Sequence, residues 1–343
     1  MKLIKTICLF LISITSSHAQ YPYGVVDNSY KNAGELIEIS PMSPVKNQGE
    51  IGLCYAFAAT TLLEHYRCKE LLLSCSEPKD VLSTLDVASY EESGKKGLKE
   101  GGMSLFIFSN IAKERRIVKE ECAPYSSLLA KVKYLDKTFE SELISWQFLS
   151  EGWKNLHNRK ISEDKNLCTS CMANNIKCLF PNIKTPLDQI ETALKDAKDV
   201  ESFLYKTIIP EHCFNRSEAL DMPEFQVKSF PTYLDKDSFG ASVLENKIMN
   251  LLSSKIPVQV NICSSKTVND VCTSAHAVVL YGLKEVCSEF KNECKKMVKI
   301  KNSYGEEWQK NHNDGWVDLQ LLAKSSKDYS EGNNIVWLEK PNL

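Results

Sequence analysis

The chain has 343 residues, with 42 Lys and Arg against 44 Asp and Glu, a formal net charge of −2. So even a balance offers no basic surface for a nucleic-acid backbone, and a composition of 43% hydrophobic and 25% charged residues excludes a disordered or fibrous chain. The length suits one large domain or two lobes with a sizeable core.

Lys2 and Lys5 precede an apolar run over residues 7–14, and Ser17 and Ala19 put small residues three and one before a cut. This pattern predicts a secretory leader over 1–19. Its apolar part is too short to cross a bilayer. The expectation is therefore an exported protein without membrane association: secreted or periplasmic, or in a lysosome-like compartment if the source is eukaryotic.

Residues 44–57 read PVKNQGEIGLCYAF. Gln48, Gly49 and Gly52 mark a turn, after which Cys54, Phe57, Ala58, Thr61, Leu62 and His65 recur at helical spacing. A helix over 53–65 thus opens at Cys54, where unpaired amides and the positive end of the dipole favour the nucleophilic thiolate. A short helical run is predicted over 81–90, a glycine-rich turn over 97–102, a helix through Leu105, Phe108, Ile111 and Ala112, and an extended stretch over 117–125. Residues 20–125 read as a helical lobe. Residues 126–233 form a cysteine-containing middle segment, in which Thr185-Pro186 opens one amphipathic helix through Leu187, Ile190, Leu194, Ala197 and Leu204. From about Lys255 the apolar period changes from 3.6 to 2, giving strands over 257–263, 276–282, 297–302, 315–320 and 334–338. Residues 234–343 read as an antiparallel β lobe, and the fold class is α+β.

Thirteen cysteines in an exported chain are expected to pair. With Cys8 in the leader and Cys54 reduced, the remainder is odd, so a second free thiol is expected. Cys168, Cys171 and Cys178, with His212 or Cys213, have the donors of a zinc site. Behind a leader, disulfides are the expectation instead, with Cys287–Cys294 and Cys263–Cys272 as further local pairs. Asn215-Arg216-Ser217 is a glycosylation sequon, relevant in a eukaryotic source.

A thiolate nucleophile needs a base, a group to orient the base, and donors for an oxyanion. Among the histidines, His276 stands at a strand start in SAHAVVLYG, and Asn302 ends the next strand in KIKNSYGEEW. Gln48 supplies an amide six residues before Cys54. Together these segments resemble the active-site boxes of the papain and cathepsin cysteine peptidases. The resemblance implies a papain-like two-lobe fold with a large middle insertion. It makes Cys54 the nucleophile, His276 the general base and acid, Asn302 its orienting partner, and Gln48 with the Cys54 amide the oxyanion hole. By the same likeness Trp308 flanks the leaving-group side, Gly101 and Gly102 hydrogen-bond an extended substrate, and Met103 lines an apolar pocket for the second residue before the scissile bond. A Cys54 thiolate paired with protonated His276 is expected, with no cofactor and no metal. The partners implied are peptide or protein substrates and protein inhibitors, acting on a monomer.

Several positions depart from the family. Ile51 and Leu98 replace two cysteines that pair with each other there, and an aliphatic contact between them is expected instead. Tyr55 and Tyr304 replace tryptophans, and the smaller Tyr304 ring predicts a wetter bond between Asn302 and His276. Glu100 stands where asparagine commonly precedes the glycine pair. His276 and Asn302 fall well beyond the roughly 130–150 residues after the nucleophile at which the family places them. The excess lies in 126–233, expected to cover part of the cleft, and too few residues separate leader from nucleophile for a helical inhibitory propeptide. The function implied is an exported endopeptidase acting through a thioester. The alternatives are transpeptidation through that thioester, or a catalytically weak scaffold that binds partners through the insertion.

Overall fold

The computed structural model describes residues 26–92, 96–128, 130–134, 137–158, 168–215, 217–231, 241–266, 272–327 and 334–341. The leader at 1–19 and Arg216 of the sequon lie outside the described residues. In chain order the elements are β1 (Lys31–Asn32), β2 (Ile37–Glu38), α1 (Cys54–Leu71), α2 (Thr84–Ala88), α3 (Ser104–Glu114), β3 (Arg116–Val118), β4 (Ala130–Tyr134), β5 (Lys137–Ser141), α4 (Glu142–Asn158), α5 (Thr169–Leu179) and α6 (Leu187–Asp196). There follow α7 (Val200–Ile208), β6 (Ala219–Asp221), β7 (Gln226–Pro231), α8 (Ala241–Ser253), β8 (Val258–Lys266), β9 (Cys272–Ser288), β10 (Glu293–Lys301), α9 (Gly305–Asn311), β11 (Trp316–Asp318), α10 (Leu319–Lys327) and β12 (Asn334–Glu339). The fold is α+β. Its main sheet runs β11-β10-β9-β8-β12-β7, with β1 and β2 added along β9, and all these pairings are antiparallel.

Period-two alternation gives the sheet two buried faces. Ala277 and Val279 of β9 join Val336 and Leu338 of β12 in the core around α1. Val278 and Leu280 point the other way, packing with Val260 and Ile262 of β8, Ile248 and Leu252 of α8, and Leu322 of α10. A strand covered on both sides reads as a continuous apolar run, which is what 277–280 shows.

The nucleophile helix is wider in its burial than the spacing over 53–65 implies, since every residue over 55–68 is buried. The sheet lies on one side of α1, and α2 and α3 pack on others, so a helix apolar nearly all round has to sit inside. Its charged members find partners. Glu64 Oε1 accepts from Lys46 Nζ at 2.7 Å and from the Leu82 amide at 2.9 Å, and His65 Nδ1 lies 2.7 Å from the Pro41 carbonyl.

The middle segment is built into this first core. Trp146 and Leu149 of α4, Ile176 of α5, and Phe203 and Leu204 of α7 share it with Leu82, Leu85 and Phe108. Strand β6 pairs with β3. The single helix expected through 187–204 is two, because Asp199 starts a second one. Its side chain accepts from the Ser202 amide at 2.8 Å while the Asp199 amide reaches Ser202 Oγ, a reciprocal capping box. Thr185 does not cap α6; Pro186 holds that position without a side-chain bond. The strand expected over 315–320 ends at Asp318, whose Oδ1 accepts the Gln320 and Leu321 amides and opens α10.

Bridges join Cys68–Cys75, Cys122–Cys213, Cys168–Cys171, Cys263–Cys272 and Cys287–Cys294, and Cys54 and Cys178 are free. The zinc donor set is therefore dispersed. Cys122, His212 and Cys213 do cluster, but the two sulfurs are bonded to each other. No helix among the described residues is long and apolar enough to cross a membrane.

Candidate active site

Cys54 is the first residue of α1. Leu53, at the cap position, makes no side-chain capping bond, and the first turn carries no acidic residue. The amide ends of that turn are thus left to act on the thiol. Cys54 is half-buried. Burial pushes its thiol up, while the backbone amides of Ala277, Tyr55 and Cys54 itself hydrogen-bond the sulfur and oppose the rise.

The Ala277 amide brings β9 to the thiol, and His276 is the residue before it. His276 is 3% exposed, as is Asn302, which stands one residue past β10. Strands β9 and β10 pair with Val279 opposite Lys301, so the register carries both side chains to the same end of the sheet. Asn302 Oδ1 accepts the Ser303 amide at 2.7 Å and lies 2.7 Å from His276 Nε2. With Oδ1 fixed as an acceptor, Nε2 carries the proton and Nδ1 is left as the basic nitrogen. Burial lowers His276 to about 4, with the Asn302 bond raising it in partial compensation. Burial works against charge on either group taken alone, and the ion pair expected from sequence sets the attraction of two opposite charges against that cost.

Gln48 is buried and reaches the site through backbone pairing that no local pattern announces. Its amide donates to the Ser303 carbonyl at 2.8 Å, the Gly305 amide donates to Lys46 at 3.0 Å, and Asn47 bridges Tyr304. These bonds zip 46–48 onto 303–305 and hold the two lobes in register. Ser303 Oγ donates to Gln48 Oε1 at 2.5 Å, which fixes the amide so that Nε2 faces the turn before Cys54 and bonds the Ile51 carbonyl at 2.9 Å. Tyr125 Oη donates to the Gln48 carbonyl. Sequence reasoning missed Ser303 and Tyr125 as supports; adjacency to Asn302 was the available signal for Ser303, and Tyr125 had none.

Tyr304 stacks on the His276 ring, centroids 4.7 Å apart and 13° from parallel, and its hydroxyl donates to Nδ1 at 3.3 Å. Trp308 packs edge-on against Tyr304 at 6.4 Å and stacks on His312 at 4.2 Å. Beneath this stack His276 and Asn302 are both buried. On the other side of Cys54, the Gly101 amide donates to the Gly52 carbonyl at 2.9 Å. Gly101 adopts φ 72°, a left-handed conformation natural to glycine. Gly102 lies against the Tyr55 ring, so closely that a Cβ would stand 2.6 Å from it. Met103 is exposed, and Ser104 beside it donates to the Tyr55 carbonyl at 2.9 Å. Glu100 is exposed. Ile51 and Leu98 are both fully buried in one core.

Residues 37–147 match the family model described as papain family cysteine protease. The matched stretch holds Gln48, Cys54, Gly101, Gly102 and Met103, and ends before His276, Asn302 and Trp308. Over that stretch the chain is similar to the papain family. Cysteine proteinase 5 of Dictyostelium discoideum is 31% identical over 113 residues, spanning 32% of this chain and 30% of that relative's length. Among solved structures, the bromelain protease of Ananas comosus in complex with the E64 inhibitor overlaps 89% of this chain and 99% of its own, at 13% identity and a TM-score of 0.41. Digestive procathepsin L 3 of Tenebrio molitor overlaps 94% and 75%, at 13% identity and a TM-score of 0.45. At these values the overlaps say nothing of individual residues.

Proposed function

We propose that the protein is an exported cysteine endopeptidase that cleaves peptide bonds through a thioester acyl-enzyme. The observation that carries this reading is the bond between Asn302 Oδ1 and His276 Nε2, which leaves Nδ1 as the proton acceptor on the residue before Ala277, whose backbone meets the Cys54 thiol at an uncapped helix start. In the reaction Cys54 Sγ attacks the peptide carbonyl carbon as its proton passes to His276 Nδ1. The Cys54 amide and Gln48 Nε2 hold the oxyanion; His276 returns the proton to the leaving amine, and water then hydrolyses the thioester. Asn302 keeps the ring turned through both transfers. Gly101 and Gly102 offer backbone to an extended substrate, with Met103 and Trp308 on either side. A pure binding role gives no reason to bury and pair Gln48, His276 and Asn302, each of which costs desolvation. Five bridges suit an oxidising compartment.

The test is Cys54→Ala in the full chain. Loss of peptide hydrolysis together with loss of labelling by E64, the inhibitor held by the bromelain relative, is expected. Hydrolysis retained by the variant overturns the assignment. Cleavage after Ala19, read by N-terminal sequencing of the secreted product, tests export.

A further inference from the structure

We propose that the Cys168–Cys171 bridge is a redox-active disulfide, a thiol–disulfide exchange site outside the peptidase machinery. The two cysteines are three residues apart, Cys168 at the cap of α5 and Cys171 in its first turn. Both are exposed, whereas three of the other four bridges contain a buried cysteine and the fourth, Cys287–Cys294, has one half-buried. Access of an attacking thiol governs exchange, and exposed bridges are the labile ones. The bridge also ties no two elements together, so it adds little to the fold. Ala173 and Ile176 seat α5 in the core on its other face, and the helix keeps its place when the bridge opens.

Local geometry sets the direction of the chemistry. The Cys171 amide donates to Cys168 Sγ at 3.1 Å, and a thiol at a helix N-terminus ionises more readily than a free one. Reduced Cys168 is therefore the nucleophile. Its thiolate attacks one sulfur of a low-molecular-weight disulfide R–S–S–R, forming Cys168–S–S–R and releasing R–S⁻. Cys171 then gives up its proton, attacks Cys168 Sγ, closes the bridge and releases the second R–S⁻. Two electrons pass from the dithiol to R–S–S–R and two protons end on two R–SH. An excess of R–SH runs the sequence backwards.

The experiment uses the full chain carrying Cys54→Ala, which keeps the outcome independent of the peptidase reading. The protein is equilibrated in glutathione buffers of graded ratio, alkylated, and mapped by peptide mass spectrometry. Cys168 and Cys171 are expected to open while the other four bridges stay closed. At pH 6.5, reduced Cys168 should alkylate at least about tenfold faster than Cys178, the exposed thiol on the same helix. A further Cys171→Ser change should accumulate glutathione on Cys168, which the parent clears. Opening no earlier than the other bridges, alkylation no faster than at Cys178, or no trapped glutathione overturns the proposal.

Discussion

In the proposed reaction His276 meets two demands that oppose each other: it is buried and must accept a proton. Burial holds it at about 4 against an ordinary 6.5. Below pH 6.5 an unfolded chain binds a proton that the folded chain refuses, so the stability this residue contributes is complete above pH 6.5 and is lost as pH falls toward 4. The upper limit is on the order of 3 kcal/mol. Urea midpoints at pH 7 and 4.5 check this, since wild type should lose more than His276→Gln over that interval; equal losses would show that His276 is not the source. Tyr304 acts on the same nitrogen. Its donated bond stabilises the neutral ring, so Tyr304→Phe, which keeps the stack, should raise the acid limb of kcat/KM by a fraction of a pH unit. A limb that stays in place or moves down would rule out the hydroxyl as a modulator.

At the scale of elements, α1, β9 and the turn at 97–102 do the positioning. The turn is held at Gly101 by the Gly52 carbonyl and packs through Gly102 against Tyr55. Gly102→Ala would force its Cβ into that ring, displacing the backbone proposed to meet substrate while leaving Cys54 and His276 in place. The expected result in steady-state kinetics is a severalfold higher KM with kcat little changed; a fall confined to kcat would place the glycine's role elsewhere. Much of this level was legible. The alternation over 276–282 marks β9, and the turn before Cys54 marks the start of α1. What escaped was the capping by Asp199 and Asp318, short polar residues that override a continuing apolar period by offering their oxygens to the next helix's amides. The zipper of 46–48 onto 303–305 was equally hidden, since backbone pairing at long range leaves no side-chain pattern.

On the scale of the whole molecule, the middle segment braces the first lobe. The Leu98 amide donates to the Glu201 carbonyl at 3.1 Å, just ahead of the glycine pair, and Cys122–Cys213 closes a loop across a separation of 91 residues. A deletion of 140–230 would remove β6, Cys213 and core side chains together, so covering of the cleft is better tested by narrower changes. Cys122→Ser with Cys213→Ser should lower stability by about 4–5 kcal/mol on loop-closure grounds, read as a drop in the urea midpoint. An unchanged midpoint would mean that packing alone holds the segment. The residue types, their order and the periods of their neighbours, carried by local chemistry, were enough to mark Cys54 at a helix start and the change from helix to strand, and the resemblance to papain-type segments added His276, Asn302 and Gln48 as candidates. Only the tertiary structure decided that burial works against a charge on the thiol and on the imidazole, that Tyr304 touches the basic nitrogen, and that the middle segment is a brace, because desolvation, stacking and lobe-to-lobe hydrogen bonds exist only once distant parts of the chain are packed together.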